Sequence, residues 1–197
     1  YGDLTQDNWL SRVEKLEKKL QIWRGRALSL KGKTLIINTL GLSGLWYTAS
    51  VLPVPGPVIT RVNRALFEFF WSGKTEQVKR DVIVRPPEEG GLGVVHLQSK
   101  AKALRLRGLR QIGDPDSPAR WVHFARYWLG RNLAIRPEWQ WLRSNNRATA
   151  APGKLADAYS VLLADLRANR RWLSSQPLAT LTTREIYANL VSSISSA

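Results

Sequence analysis

Apolar residues recur every three or four positions along most of this chain, the spacing of an amphipathic helix. The first such stripe, in the segment from Asn8 to Trp23, consists of Trp9, Val13, Leu16, Leu20 and Trp23. The sequence Arg24-Gly25-Arg26 then predicts a break. A second helix is predicted from an N-cap at Ser29 toward Val51, with a largely buried apolar middle in which Gly41 and Gly44 favour close packing or a kink.

A third helix is predicted to start near Pro57, because proline suits the first turn of a helix. Its stripe consists of Val58, Val62, Leu66 and Phe69, and Ser72-Gly73 predicts its end. Valines of one parity follow at Val78, Val82 and Val84, before a run rich in proline and glycine. This alternation predicts a small β-hairpin or irregular segment near residues 76–94.

The rest of the chain is again helical in pattern. Three stripes are formed by Leu97, Ala101, Leu104, Gly108 and Ile112, by Trp121, Phe124, Ala125 and Trp128, and by Leu155, Tyr159, Leu162 and Leu166. Thr182 and Glu185 match a capping box, which predicts a last helix. The expected fold is mainly α, with one helical domain over residues 1–95 and a second helical region over residues 96–197.

Charge changes this picture, because the basic residues lie in blocks without acids. The chain carries 30 Lys and Arg against 15 Asp and Glu, a net charge of +15 over 197 residues. Eight basic residues and no acid lie between Lys18 and Phe67, and five more lie between Glu89 and Asp114. A folded surface of this kind concentrates polyanions, of which nucleic acid is the commonest, although charge can also serve solubility alone.

Composition excludes several classes. The chain has no Cys, so disulfides and thiolate metal sites are excluded, and it has no Met, which indicates a piece of a longer protein. No run of about 18 apolar residues and no signal peptide is present, so no membrane association is expected.

Catalytic motifs are not completed. Gly32-Lys33-Thr34 resembles the end of a P-loop, but Ala27 occupies the position of the required first glycine. Lys31 and Lys33 near a helix start fit either a bound phosphate or solvent exposure equally well. His96 and His123 lie 27 residues apart and are typical of packing or capping, and Asp114 and Asp116 of turn chemistry. No catalytic residue, metal site or cofactor is predicted.

Tryptophan is unusually common, with nine Trp against four Phe. Exposed aromatic rings can stack on bases. Most of the tryptophans fall on apolar stripes, Trp121 among them, and are predicted to pack in the core. Trp139 and Trp141 lack helical spacing and are the better stacking candidates.

Four stretches in order resemble the region downstream of the polymerase domain in LINE-type (non-LTR) retrotransposon proteins. They are residues 23–33 (WRGRALSLKGK), 47–55 (YTASVLPVP), 69–73 (FFWSG) and 86–94 (PPEEGGLGV). The segment 181–187 (LTTREIY) is also similar to that family's linker. The resemblance implies the helical thumb of a reverse transcriptase and the start of the following linker or wrist. The polymerase Asp-Asp signature of that family is absent, so the fragment alone is expected to be inactive.

The expected function is therefore non-catalytic holding of an RNA template or of an RNA–DNA or DNA duplex, through contacts to phosphates. The candidate contact residues are Arg24, Arg26, Lys31, Lys33, Lys100, Lys102 and Arg105. The resemblance adds the upstream polymerase domain as a partner and an intracellular ribonucleoprotein in the nucleus or cytoplasm as the setting. The alternative is a helical protein–protein scaffold.

Overall fold

The computed structural model describes residues 4–114, 116–133, 161, 162, 164, 165, 168, 169 and 182–195, and this part of the chain is mainly α-helical. No strand occurs among these residues. The mainly α prediction is confirmed. The stacking candidates Trp139 and Trp141 lie outside the described residues, as does most of the helix predicted from the stripe that starts at Leu155.

Two long helices build the first layer. Helix α1 spans Leu4–Arg24 and α4 spans Gly56–Trp71, and the two pack against each other. The predicted stripes form their contact faces and are buried: Trp9, Val13, Leu16 and Leu20 on α1, and Val58, Val62, Leu66 and Phe69 on α4. Helix α4 ends as predicted, because Ser72 and Gly73 take left-handed backbone conformations with φ of 54° and 74°.

The second predicted helix is helical throughout but irregular in its middle. Helix α2 (Leu30–Ile36) continues into a π-helical turn (Ile37–Gly41), a 3₁₀ turn (Leu42–Leu45) and α3 (Trp46–Val51). The irregularity lies at the predicted glycines, and a Cβ added at Gly41 would stand 3.5 Å from Leu20 Cδ2. Burial is one-sided rather than general, since Leu35 and Leu40 are exposed while the residues that face α1 are buried.

Of the two structures predicted for residues 76–94, the β-hairpin is wrong, and the segment is irregular. Residues 80–84 form a short helix, α5 (Arg80–Val84), and Pro87–Glu89 form one 3₁₀ turn. The backbone of this segment bonds to the loop that follows, because Ile83 O accepts from Leu92 N at 3.2 Å and from Val94 N at 3.3 Å. Asn38 in the π-helical turn fixes the same loop, since its amide donates to Gly93 O (2.9 Å) and accepts from Val95 N (3.0 Å).

Three further helices complete the described fold. They are α6 (Leu97–Gly113), α7 (Arg120–Leu133) and α8 (Thr183–Ser195). The capping box is confirmed, because Thr182 N donates to Glu185 Oε2 at 2.6 Å and Glu185 N donates to Thr182 Oγ1 at 3.2 Å. Helix α6 packs against α3, α7 and α8. Leu97 and Ala101 of α6 belong to the same apolar core as α1 and α4. The division into domains at residue 95 stays a prediction.

Candidate nucleic-acid interface

The C-terminal end of α4 draws together cations from distant parts of the sequence. Lys33, on α2, donates from Nζ to Phe70 O at 3.0 Å and to Ser72 Oγ at 2.5 Å. The carbonyls in the last turn of a helix lack amide partners and carry partial negative charge, which favours a cation at this position. Lys33 therefore ties α2 to the end of α4.

Two more cations lie at the same turn. Lys74 lies at the end of α4, since its backbone N–H donates to Trp71 O at 3.1 Å. Burial first, and the positive charge of Lys74 second, lower the pKa of Lys33. Arg24, at the end of α1, pairs with Glu68 at 2.8 Å, and its Nη2 would stand 3.3 Å from a Cβ at Gly73. We call Arg24, Lys33 and Lys74 the α4-end cluster. The carboxylate of Glu68 lies beside these three cations and is paired with Arg24.

The other two cations predicted for this region stay on the surface. Arg26 lies with its guanidinium carbon 4.3 Å from the ring centroid of Trp23 and is exposed. Lys31 is exposed in the first turn of α2, where Ser29 Oγ caps the helix by accepting from Gly32 N at 3.2 Å. The structure thus brings Arg24 and Lys33 to one turn, and it leaves Arg26 in the connection between α1 and α2 and Lys31 in the first turn of α2.

A groove between α1 and α4 leads to this cluster. Its lining includes Arg24, Arg61 and Arg64 together with Glu17 and Glu68. Arg61 holds Glu17 with two parallel hydrogen bonds of 2.8 and 2.7 Å, and Arg24 holds Glu68. Each carboxylate in the lining is therefore matched by an arginine. Arg64 is exposed, so the groove carries a surplus of positive charge.

The second predicted set of cations, Lys100, Lys102 and Arg105, differs in burial: Arg105 is buried and the two lysines are partly exposed. Arg105 is 6% exposed, and it donates from Nε to Asp165 Oδ2 at 2.6 Å and from Nη1 to Ala49 O at 3.2 Å. Its guanidinium faces the interior, which gives Arg105 a structural role. Lys100 lies over Tyr187, with Nζ 5.5 Å from the ring centroid, and burial lowers the pKa of its ammonium group.

The positive charge of Lys102 affects the protonation of His96. Burial first, and the charge of Lys102 second, lower the pKa of His96. His96 Nδ1 accepts from Ser99 N at 3.4 Å and so caps α6, and its backbone N–H donates to the Tyr187 hydroxyl at 2.9 Å. The capping role predicted for His96 is confirmed, whereas His123 is exposed on α7.

The motifs that invited a catalytic interpretation have structural partners. Thr34 is buried and donates to Leu30 O at 3.0 Å, while Lys33 is held by the end of α4. Asp114 Oδ1 accepts from Asp116 N at 3.1 Å, as turn chemistry predicts. Within the described ranges, no three His, Cys, Asp or Glu residues are grouped so that they would hold a metal ion. No helix in those ranges has the length and apolar character needed to cross a membrane.

Sequence reasoning missed Lys74 and Glu68. Lys74 follows Lys33 by 41 positions, and only the packing of α2 on α4 brings them together. The usable signal was the helix end predicted at Ser72-Gly73, because a helix C-terminus attracts cations.

Two curated proteins are similar to parts of this chain. A Xenopus laevis protein described as "Transposon TX1 uncharacterized 149 kDa protein" is 32% identical over 120 residues, which cover 60% of this chain. A "Putative ribonuclease H protein" of Arabidopsis thaliana is 24% identical over 133 residues, which cover 64%. No protein-family model matches, and no solved structure matches.

The aligned part is small in both relatives. The chain spans 9% of the Xenopus protein and 22% of the Arabidopsis protein. The similarity to the Xenopus protein relates the chain to a transposon protein, which agrees with the retrotransposon resemblance of its sequence motifs.

Proposed function

We propose that this chain is a non-catalytic, nucleic-acid-holding segment of a LINE-type reverse transcriptase, from its thumb and the following linker. The observation that carries the proposal is the α4-end cluster with its adjoining exposed cations, Arg26 and Lys31. Such a surface contacts phosphates without reading the base sequence. The similarity to a transposon protein supports the same conclusion.

Two of the three cations in the α4-end cluster have partners within the fold. Lys33 completes the end of α4 and Arg24 is matched by Glu68, so both have structural partners. Lys74 of the cluster is exposed, as is Lys31, two positions before Lys33 on α2, and both can meet a phosphate backbone. In the full-length protein, the partners would be an RNA template or an RNA–DNA or DNA duplex and the upstream polymerase domain. The setting would be an intracellular ribonucleoprotein.

The test is the salt dependence of duplex binding by the 197-residue chain. If about six phosphates are contacted, log K should fall against log salt with a slope of roughly −5 on an RNA–DNA duplex. Fluorescence anisotropy at a series of salt concentrations measures the slope. An affinity that barely changes with salt contradicts phosphate holding, and no binding even at low salt favours the protein-scaffold alternative.

The location of the contact is tested by charge removal at exposed positions. Lys31→Ala with Lys74→Ala should weaken duplex binding and reduce the steepness of the salt slope by about one to two units. Lys33 is left intact because Lys33→Ala would remove the two bonds to the end of α4 and confound binding with stability.

The matched control is Lys15→Ala with Lys18→Ala, two exposed lysines on α1 next to glutamates. It removes the same charge away from the α4-end cluster, so it should change the slope less. Equal losses in the two double variants would mean that binding depends on total charge and not on this cluster.

A further inference from the structure

Helix α7 presents aromatic side chains to solvent. Phe124 is 69% exposed, Tyr127 59% and Trp121 46%. The opposite face of the helix carries Val122 and Ala125, both fully buried, and α7 packs against α6. This overturns the expectation that Trp121 and Phe124 pack in the core. Helix α7 therefore presents part of three large rings to solvent, most of all that of Phe124.

These residues form an ordered surface. Arg120, Phe124 and Tyr127 follow one another at i, i+4 and i+7, which places them on one stripe along the helix. Trp121 lies beside this stripe, and a Cβ added at Gly108 of α6 would stand 3.9 Å from its Cη2 atom. The small residue at position 108 therefore lets the indole rest on α6 while nearly half of the side chain stays exposed.

The charge around these rings is positive. Residues 97–133 contain eight Lys and Arg against two acids, Asp114 and Asp116, and both acids lie in the turn between α6 and α7. Neither helix contains an Asp or Glu. Arg107, next to Gly108, and Arg120 are exposed. Arg105 and Arg110 do not add to this exposed charge, because Arg105 is paired with Asp165 in the interior and Arg110 lies near Glu185. Exposed rings beside the exposed cations Arg107 and Arg120, on two helices without acids, are complementary to a polyanion that carries flat apolar groups.

We infer that this α6–α7 surface binds single-stranded nucleic acid, with bases stacked on Phe124 and its neighbouring rings and phosphates held by Arg107 and Arg120. A single strand is favoured over a duplex because paired bases are stacked on each other and do not offer their faces to a side chain. The inference rests on the proposed function for the class of ligand. It adds a second surface, distinct in residues from the α4-end cluster, and a different strand state.

The test compares a short single-stranded oligonucleotide with an abasic strand of the same length and backbone. Phe124→Ala should lower affinity for the normal strand by about five- to a hundredfold, the range that loss of one stacked base gives. It should leave affinity for the abasic strand unchanged, because that strand has nothing to stack. Phe124→Trp keeps an aromatic ring at this position and should therefore keep the affinity of the unaltered chain for the normal strand.

The matched control is Tyr47→Ala on α3, which removes another exposed aromatic ring outside this surface and should leave single-strand binding unchanged. Thermal melting of each variant checks that it is folded. Equal loss of affinity for the normal and the abasic strand in Phe124→Ala would overturn the inference. So would a change in self-association, measured by sedimentation, without any change in strand binding.

Duplex binding separates this inference from the proposed function. Phe124→Ala should keep the duplex affinity and salt slope of the unaltered chain, whereas Lys31→Ala with Lys74→Ala should change both. If the unaltered chain bound duplex but did not prefer the normal strand over the abasic strand, the stacking inference alone would fail. If the unaltered chain preferred the normal strand but did not bind duplex, the duplex-holding function alone would fail.

Discussion

The buried ion pair between Arg105 and Asp165 allows the strongest test of how this fold is held together. The two side chains are 7% and 10% exposed, and the Nε–Oδ2 distance is 2.6 Å. The same guanidinium donates to Ala49 O, so it connects Asp165 to α3. The Asp165→Ala substitution would leave a buried cation with only a carbonyl for a partner.

The expected loss is large because a buried charge without its counter-ion retains the cost of desolvation. Removing one partner of a buried pair costs about 3–5 kcal/mol of unfolding free energy. In a chain of this size each kcal/mol lowers the melting temperature by about 2–4 °C, so the fall should be about 6–20 °C. Circular dichroism at 222 nm during heating measures it. Duplex affinity of the folded variant at low temperature should be unchanged, because Arg105 faces the interior.

Two controls define the result. Glu17→Ala breaks the pair with Arg61, whose side chains are 35% and 41% exposed, and it should cost only about 0–1 kcal/mol. Arg105→Met with Asp165→Leu replaces both charges by apolar groups and should recover most of the lost stability. If Asp165→Ala melted no lower than Glu17→Ala, the reasoning about a buried pair would be refuted.

Two further predictions concern the segment from α5 to α6. Burial first and Lys102 second lower the pKa of His96 below its ordinary value of 6.5, so the unfolded chain takes up the proton more readily than the folded one. The contribution of neutral His96 to the free energy of unfolding should therefore be fully present above about pH 6.5 and should fall as the pH drops below that value. His96→Asn keeps a capping acceptor but does not take up a proton, so it should flatten this dependence. Urea titrations at several pH values measure it. Gly91→Ala should prevent or severely weaken folding because its Cβ would stand 2.0 Å from Arg85 O, while Gly44→Ala, with nothing within 4 Å, should melt within a few degrees of the unaltered chain.

The helices were predictable because burial imposes a period on the sequence. Trp9, Val13 and Leu16 repeat at helical spacing, and that spacing alone locates α1 and its inner face. Local signals also located two helix termini, at Ser72-Gly73 and at Thr182. Each depends on residues within one turn of the chain, which is the range over which sequence pattern carries structural information.

The hairpin predicted near residue 80 was wrong because the segment is too short for its pattern to distinguish a strand from a helix. Three valines of one parity fit a strand, but a run of five residues fits one turn and a half of helix equally well. The outcome was decided by Ile83 and Leu92, whose backbone groups bond across a loop. Sequence spacing does not report contacts of this kind.

The candidate interface was only partly predictable for the same reason. Acid-free blocks singled out Arg24 and Lys33, both of which reach the last turn of α4, but charge counting does not show which cations face inward. Arg105 finds its counter-ion 60 positions away in Asp165. The exposure of Phe124 also depends on how α7 lies on α6, where smaller residues face the contact. Long-range packing therefore decided the role of each of these side chains.

The π-helical turn over Ile37–Gly41 sets a constraint on chain length. Its hydrogen bonds close over five residues instead of four, so the turn accommodates one residue more than a regular helix. Deleting one residue within this turn would restore a regular helix and leave the downstream residues close to their present orientation. Deleting one residue from α2 instead would rotate everything downstream by about 100°. Leu42 and Leu45 would then leave the core, and the Trp9 indole, which donates to Pro53 O, would lose its acceptor. Among close homologues of this fold, a one-residue deletion should therefore be tolerated at the π-helical turn and excluded from α2.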